Sequence, residues 1–89
     1  MPALSMFYGV VIYLYYFDNK QHKLPHLHAR FQGKEVVVGI PEGNIMEGSL
    51  PKNKLKLVQA WVEIHRDELL ANWELAVNGE QIFKIAPLK

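Results

Sequence analysis

The sequence predicts an α+β fold, in which an antiparallel β-meander of about four strands is followed by two helices and a short C-terminal strand. The first half is rich in β-branched and aromatic residues and is divided by turn residues, whereas apolar residues recur at helical spacing from Asn53 onward. A last apolar segment over 82–85 precedes Pro87 and predicts the final strand. The 89 residues contain no internal repeat or linker, so we expect one domain over 1–89.

Three longer strands are predicted in the first half. Residues 7–17 form a continuous apolar run, which is typical of a well-covered central strand. Residues 26–32 alternate between apolar and polar side chains, as a strand with one buried face does. Gly33-Lys34 then supplies a two-residue turn with glycine first, the type II′ preference, into a third strand over 35–40.

A short fourth strand over 45–47 leads to the two predicted helices. Ser49 followed by Pro51 is a helix-start signal, because a hydroxyl can cap the first turn and proline fits within it. The helical pattern slips just before Asp67, whose carboxylate can cap a second helix. Gly79 after an asparagine is typical of a left-handed helix end.

Composition excludes several classes of function. The formal net charge of +1 at pH 7 gives no signature of broad nucleic-acid or membrane binding. Without cysteine the chain has no disulfide, no thiolate catalysis and no cysteine-ligated zinc, which is consistent with a reducing cytosol. Its start lacks the features of a secretory signal, and its longest apolar run is too short to span a bilayer. We therefore expect a cytoplasmic protein with no membrane partner.

Three of the four histidines lie within seven positions, at His22, His26 and His28, and Arg30 follows them. Because alternate residues of a strand share a face, His26, His28 and Arg30 are predicted to project outward while the apolar residues between them enter the core. In the same register Glu35 lies on the histidine side. Imidazole and guanidinium groups can bind metal, bind phosphate or move protons near neutral pH. His26, His28 and Arg30 are therefore the candidate catalytic residues.

Two tyrosines can extend this face as binding residues. If the first two strands pair as a hairpin, parity can place Tyr15 opposite His28 and Tyr13 opposite Arg30. Gly39 beside His28 then leaves space for a ligand. The alternative is an ordinary aromatic-rich face that a second subunit or a helix covers.

Two further histidines are candidate binding residues. His22 can fold over the face from the preceding loop, and His65 can reach it from the first helix; alternatively, His65 is a buried neutral histidine bonded to backbone. A His-x-His pair on a strand can share a metal, but no carboxylate or cysteine completes an obvious ligand set. No metal ligand and no cofactor are therefore predicted.

Several segments resemble the bacterial domain of unknown function 4160 family, over essentially the whole chain. They are Phe7-Tyr-Gly-Val, His22-x-x-Pro25-His26-x-His28-Ala29, Glu47-Gly48-x-Leu50-Pro51, Trp61-x-x-x-His65-Arg66-x-Glu68-Leu69 and Asn72-Trp73-Glu74-Leu75. The resemblance implies a small bacterial protein without an established activity. It also implies a gene that often neighbours that of another short protein of unknown function, in an arrangement like a toxin–antitoxin pair.

Together these observations favour a small binding or regulatory protein that acts through the face of His26, His28 and Arg30, in a toxin–antitoxin-like module. Its expected partner is a protein encoded by a neighbouring gene; RNA and a second copy of the chain are alternatives. A competing hypothesis is a metal-independent endoribonuclease, with His26 or His28 as acid or base and Arg30 stabilising the phosphorane charge. A further one is a histidine-ligated metal-binding protein. Whether the protein is an enzyme stays open between these hypotheses.

Overall fold

The computed structural model describes residues 3–14 and 24–88. Within these ranges the elements are β1 Ala3–Phe7, β2 Val10–Tyr13, β3 His26–Phe31, β4 Lys34–Gly39, β5 Ile45–Gly48, α1 Lys52–Ile64 and α2 Arg66–Val77. The strands form one antiparallel sheet in the order β1-β2-β3-β4-β5. The predicted α+β class and the meander are confirmed, with five described strands where about four were predicted.

The additional strand arises because the chain turns back inside the predicted strand over 7–17. Tyr8 and Gly9 both have positive φ, of 50° and 80°, which is the geometry of a two-residue type I′ hairpin turn. The turn brings Phe7 of β1 opposite Val10 of β2. One long central strand is therefore wrong: the apolar run contributes the end of one short strand and all of the next. Its last three residues lie outside the described chain.

A second turn of the same type joins β3 to β4. Gln32 and Gly33 have φ of 47° and 80°, so the turn lies one position earlier than the predicted Gly33-Lys34 pair and is type I′ rather than type II′. Lys34 consequently begins β4 and pairs with Phe31. Since both strands keep the predicted alternation, this shift does not change which residues share a face.

The helices form where they are predicted, but their caps differ. The residue before α1 is Pro51, which makes no side-chain capping hydrogen bond, so the predicted cap at Ser49 is wrong. The two helices meet at His65, and Asp67 lies inside the first turn of α2 rather than at its cap. An acidic side chain in a first turn still interacts favourably with the helix dipole. The left-handed end is confirmed at Gly79, where φ is 75°.

Buried apolar side chains from β1 to β4, from both helices and from the segments that flank them form one core cluster. Its members are Leu4, Phe7, Val10, Ile12, Leu14, Leu27, Ala29, Val36, Val38, Ile40, Leu50, Val58, Trp61, Val62, Leu69, Trp73, Ala76 and Ile85. The apolar row of β3 predicted to enter the core is confirmed, with Phe31 partly buried against the cluster. Full burial of a large apolar side chain contributes about 1.5–3 kcal/mol, so this cluster is the main source of stability. In the described chain, neither helix combines the length and the apolar character required to cross a bilayer.

Residues 80–88, the C-terminal tail, follow α2 without forming a strand, so the predicted strand over 82–85 is wrong. One backbone hydrogen bond joins the tail to β1, from the Ile85 N–H to the Leu4 carbonyl oxygen at 3.0 Å. A single bond does not make a ladder. The tail therefore runs beside the edge of the sheet without extending it.

Side chains of the helices hold the tail instead. The Asn72 amide donates from Nδ2 to the Phe83 carbonyl oxygen at 2.9 Å, and its Oδ1 accepts from the Phe83 N–H at 2.8 Å. The Trp61 indole N–H donates to the Ala86 carbonyl oxygen at 2.8 Å. Phe83 thus forms its backbone hydrogen bonds with the Asn72 side chain instead of with a neighbouring strand.

Candidate functional site

β3 places His26 and His28 on one face of the sheet, as predicted. Their ring centroids lie 5.5 Å apart, with the ring planes at 62°. Both residues are nevertheless buried, with exposed fractions of 0% and 8%. The prediction that the two histidines project outward from an exposed face is therefore wrong.

His26 lies at the start of β3 and contacts both the preceding chain and α2. Its Nδ1 lies 2.9 Å from the Leu24 carbonyl oxygen, and because a carbonyl only accepts, Nδ1 carries the proton in this contact. The His26 ring packs against Trp73 with 5.0 Å between the centroids. This packing buries His26 and attaches the beginning of β3 to α2.

A carboxylate joins the other two candidate residues of β3. Glu35 stands opposite Arg30 in the register of β3 and β4. Its Oε2 lies 2.9 Å from Nδ1 of His28, and its Oε1 accepts a hydrogen bond from Nε of Arg30 at 2.6 Å. We call His28, Arg30 and Glu35 the carboxylate bridge. Sequence reasoning placed Glu35 on this face but did not include it in the site, although its place beside a tight turn gave the signal.

The carboxylate bridge keeps Glu35 ionised. Partial burial tends to raise its pKa, but hydrogen bonds from Arg30 and His28, together with the charges of both groups, lower the pKa of Glu35 below its ordinary value of 4.5. An ionised carboxylate only accepts, so Nδ1 of His28 donates to it. Chemically, such a pair can orient an imidazole, and the neighbouring guanidinium can bind an anion or a carboxylate.

Tyr13 of β2 extends the carboxylate bridge on the same face. It lies opposite His28 rather than opposite Arg30, so the predicted placement of Tyr15 opposite His28 is wrong. The centre of the Arg30 guanidinium lies 5.7 Å from the centroid of the Tyr13 ring, within the range of a cation–π contact. Tyr15 and His22, both predicted binding residues, lie outside the described residues.

The space for a ligand predicted at Gly39 is filled. Gly39 lies opposite His26, and Val37 takes the position opposite His28. A Cβ added at Gly39 would collide with the side-chain oxygen of Asn44. The space left by Gly39, which has no side chain, is therefore occupied by Asn44 rather than open to a ligand.

His65 lies at the junction of α1 and α2, away from β3. Its Nδ1 lies 2.6 Å from Oε1 of Glu68, and its ring packs against Trp61 with 5.4 Å between the centroids. The alternative that its side chain bonds to backbone is wrong, because the partner is a carboxylate. Within the described residues none of its contacts reaches the carboxylate bridge.

Other features of the described chain do not add to this site. In residues 3–14 and 24–88, no three histidine, aspartate or glutamate side chains are grouped closely enough to hold a metal ion. Two cavities of the same ranges, one between β1 and the tail and one beside Trp73, both lie away from the carboxylate bridge. The described part of β2, β3 and β4 therefore carries a fixed ion pair at the surface of the sheet.

The family model described as Domain of unknown function (DUF4160) matches residues 9–74. The chain belongs to this family. The part of the DUF4160 chain that matches runs from β2 into α2 and contains the complete carboxylate bridge together with His26 and His65. No curated protein and no solved structure matches the chain significantly.

Proposed function

We propose that this DUF4160 protein is a small binding or regulatory protein of the bacterial cytoplasm. In this proposal it belongs to a toxin–antitoxin-like two-gene module and contacts the protein encoded by the neighbouring gene. The contact surface is the sheet face of Tyr13, Arg30 and Glu35, with His28 behind them. The observation that carries the proposal is the carboxylate bridge.

The exposure of the three residues of the carboxylate bridge supports binding at a surface. The side chain of Arg30 is 57% exposed and that of Glu35 is 35% exposed, whereas His28 is only 10% exposed. His28 thus holds the carboxylate from below, while a positive and a negative group face outward in fixed positions. Side chains that are ordered before association lose less entropy when they bind, and paired charges discriminate between partners.

The surroundings and composition of the face support a macromolecular partner rather than a small substrate. Enzymes surround a small substrate with converging groups in a concave site, and the cavities named above lie elsewhere. An exposed arginine in contact with an aromatic residue resembles the composition of protein interfaces. The assignment to a two-gene module has a different support, which is the family resemblance.

Co-purification with the tagged product of the neighbouring gene tests this proposal. Arg30→Ala should weaken the complex at least tenfold in a calorimetric titration, which corresponds to about 1.4 kcal/mol. Arg66→Ala is the matched control, because Arg66 is also an exposed arginine, 51% accessible, with one distant carboxylate contact at 3.8 Å. The control should bind like the wild type.

Two results contradict the proposal. One is an Arg30→Ala variant that binds as tightly as the wild type; the other is an equal loss in both arginine variants. Thermal unfolding of each variant separates a binding defect from a folding defect. If an RNA or a second copy of the chain proves to be the ligand lost with Arg30, the proposed partner is wrong.

One observation favours ribonuclease activity as a second candidate. The 2.9 Å contact between His28 and Glu35 orients the imidazole, as general acid–base catalysis requires, and Arg30 is adjacent for a phosphate. RNA cleavage in the presence of a metal chelator should then be abolished by His28→Gln while the protein stays folded. Equal cleavage by both proteins, or none by the wild type, would eliminate this candidate.

A further inference from the structure

A groove of about 560 Å³ lies between the start of the sheet and the C-terminal tail. Its floor consists of Ala3, Leu4, Leu14 and Ala76, and its wall consists of residues 79–84. The volume falls within the range of roughly 300–1,000 Å³ found for binding pockets. We call it the tail groove. It shares no residue with the carboxylate bridge and lies mostly outside the matched family range, so it is a second surface, independent of the proposed function.

The wall of the tail groove is held in place by the rest of the fold. Asn72, only 3% exposed, pairs with both backbone groups of Phe83, and Ile85 bonds to Leu4 on β1. These contacts fix the tail at two nearby points. A wall that is ordered in advance costs little entropy to a ligand that binds against it.

The same wall has backbone groups without partners. Within the described chain, the N–H and C=O groups of Gln81, Ile82 and Lys84 make no hydrogen bond to protein. An extended peptide satisfies such groups through its own backbone and directs alternate side chains into a pocket beside them. A wholly apolar small molecule leaves them unpaired. The combination of an apolar floor with unpaired backbone therefore favours a peptide.

Charged side chains stand at the two ends of the wall. Glu80 and Lys84 are exposed, and neither forms an ion pair within the described chain. Phe83 between them is largely exposed and adds an apolar rim. A complementary peptide thus carries a basic residue near Glu80, an acidic residue near Lys84 and apolar residues between.

We propose that the tail groove binds an extended peptide segment of a partner protein, with alternate apolar side chains on the floor and opposite charges at its two ends. Six extended residues span roughly 16–20 Å at the rise of a β-strand, which corresponds to a wall of six residues. The ligand class is therefore a segment of four to six residues, taken here as about the length of the wall.

Selection of random heptapeptides displayed on phage, with the full chain as target, tests this proposal. Enriched peptides are synthesised with fluorescein, and their Kd is measured by fluorescence anisotropy. We expect enrichment of alternating apolar residues, and a Kd at least tenfold higher for Ala3→Trp, whose indole fills the floor. Ala71→Trp, a substitution at an exposed alanine of α2, is the matched control and should leave the Kd unchanged.

A second variant keeps the test valid if Ala3→Trp fails to fold. Lys84 is exposed and unpaired in the described chain, so Lys84→Glu should fold normally. The Lys84→Glu variant should bind peptides with an acidic residue at least tenfold more weakly than the wild type does. It should regain affinity for peptides in which that acidic residue is changed to lysine. Lys56→Glu, at an exposed lysine of α1, should do neither. Arg30→Ala should leave peptide binding intact, which separates this proposal from the proposed function.

Three outcomes overturn the inference. The first is that selection enriches no peptide sequence above a control without the target. The second is that the enriched peptides bind Ala3→Trp and Lys84→Glu as tightly as the wild type. The third is that the chain dimerises through the groove and that Ala3→Trp loses dimerisation rather than peptide binding; the occupant is then a second copy and not a partner peptide.

Discussion

Replacing Asn72 with aspartate tests whether its amide holds the C-terminal tail. The amide both donates to and accepts from Phe83, at 2.9 and 2.8 Å. Aspartate has nearly the same shape, but its ionised carboxylate only accepts. Asn72→Asp therefore keeps the bond from the Phe83 N–H and places an oxygen against the Phe83 carbonyl oxygen where the other bond was.

The expected cost of Asn72→Asp is about 3 kcal/mol or more at pH 7. Loss of one neutral hydrogen bond accounts for about 0.5–1.5 kcal/mol. The remainder comes from the charge, since removing a carboxylate from water without a cation partner costs several kcal/mol and Asn72 is 3% exposed. Asn72→Ala removes both bonds but buries no charge, so about 1–3 kcal/mol is expected. At about 0.05–0.15 kcal/mol per residue, 89 folded residues have a stability of about 4–13 kcal/mol, so both losses are measurable.

Urea unfolding at pH 7 and at pH 4, followed by tryptophan fluorescence, measures these free energies of unfolding. Burial raises the pKa of the introduced carboxyl above its value in the unfolded chain. The loss of stability caused by Asn72→Asp is therefore largest above the folded pKa of this carboxyl. The loss becomes smaller as the pH falls, because the protonated carboxyl can donate to the Phe83 carbonyl. Asn53→Asp, at an exposed position in the first turn of α1, should change stability by less than about 1 kcal/mol. This reasoning would be refuted if Asn72→Asp were as stable as the wild type at pH 7, or if its loss of stability were the same at both pH values.

Four further substitutions give distinct expected results. Because the folded state lowers the pKa of Glu35, its ionised form stabilises the fold above pH 4.5, and this contribution is lost as the pH falls through the lowered folded value. Glu35→Gln should accordingly melt below the wild type at pH 7 and approach it at pH 3; a pH-independent difference would contradict this. Gly48 and Gly33 both have positive φ, but a Cβ at Gly48 would meet the Glu35 carbonyl oxygen while a Cβ at Gly33 has nothing within 4 Å. Gly33→Ala should lower the free energy of unfolding in urea by about 1–2 kcal/mol, and Gly48→Ala should lower it by clearly more. Equal losses would show that the backbone around Gly48 moves to accommodate the added Cβ. The buried Ser5 hydroxyl has no hydrogen-bond partner in the described chain, so Ser5→Ala should raise the free energy of unfolding by about 1 kcal/mol, and a decrease would show that the hydroxyl has a partner.

The predictable part of the fold is the part that depends on local geometry. The core-facing row of β3 follows from strand alternation alone, and the helix end at Gly79 follows from the conformational freedom of glycine. The turn at Tyr8 was missed because two short buried strands have the same apolar pattern as one long strand. Only Gly9 signals the break, and tyrosine rarely adopts a positive φ.

The candidate site was only partly predictable, because its burial and partners depend on tertiary contacts. Parity placed His26, His28 and Arg30 on one face, but the coverage of His26 by Trp73 comes from a helix distant in sequence. The register between β2 and β3 depends on the loop that joins them, so it was misjudged by two residues. The predicted strand of the tail failed for a similar reason, since an asparagine side chain of α2 pairs with its backbone.

The order of the strands has a consequence for how the molecule folds. Every described strand pairs with its neighbour in sequence, so the sheet forms through local contacts, which favour fast folding. The contact of Ile85 with Leu4 instead joins opposite ends of the described chain and carries a larger loop-closure entropy. We expect the tail to dock last, so the Phe83 and Ile85 amides should exchange hydrogen faster than those of β2 and β3. Equal protection of all these amides would show that the tail and the sheet form together. With a late tail, the tail groove exists only in molecules that have completed this final step.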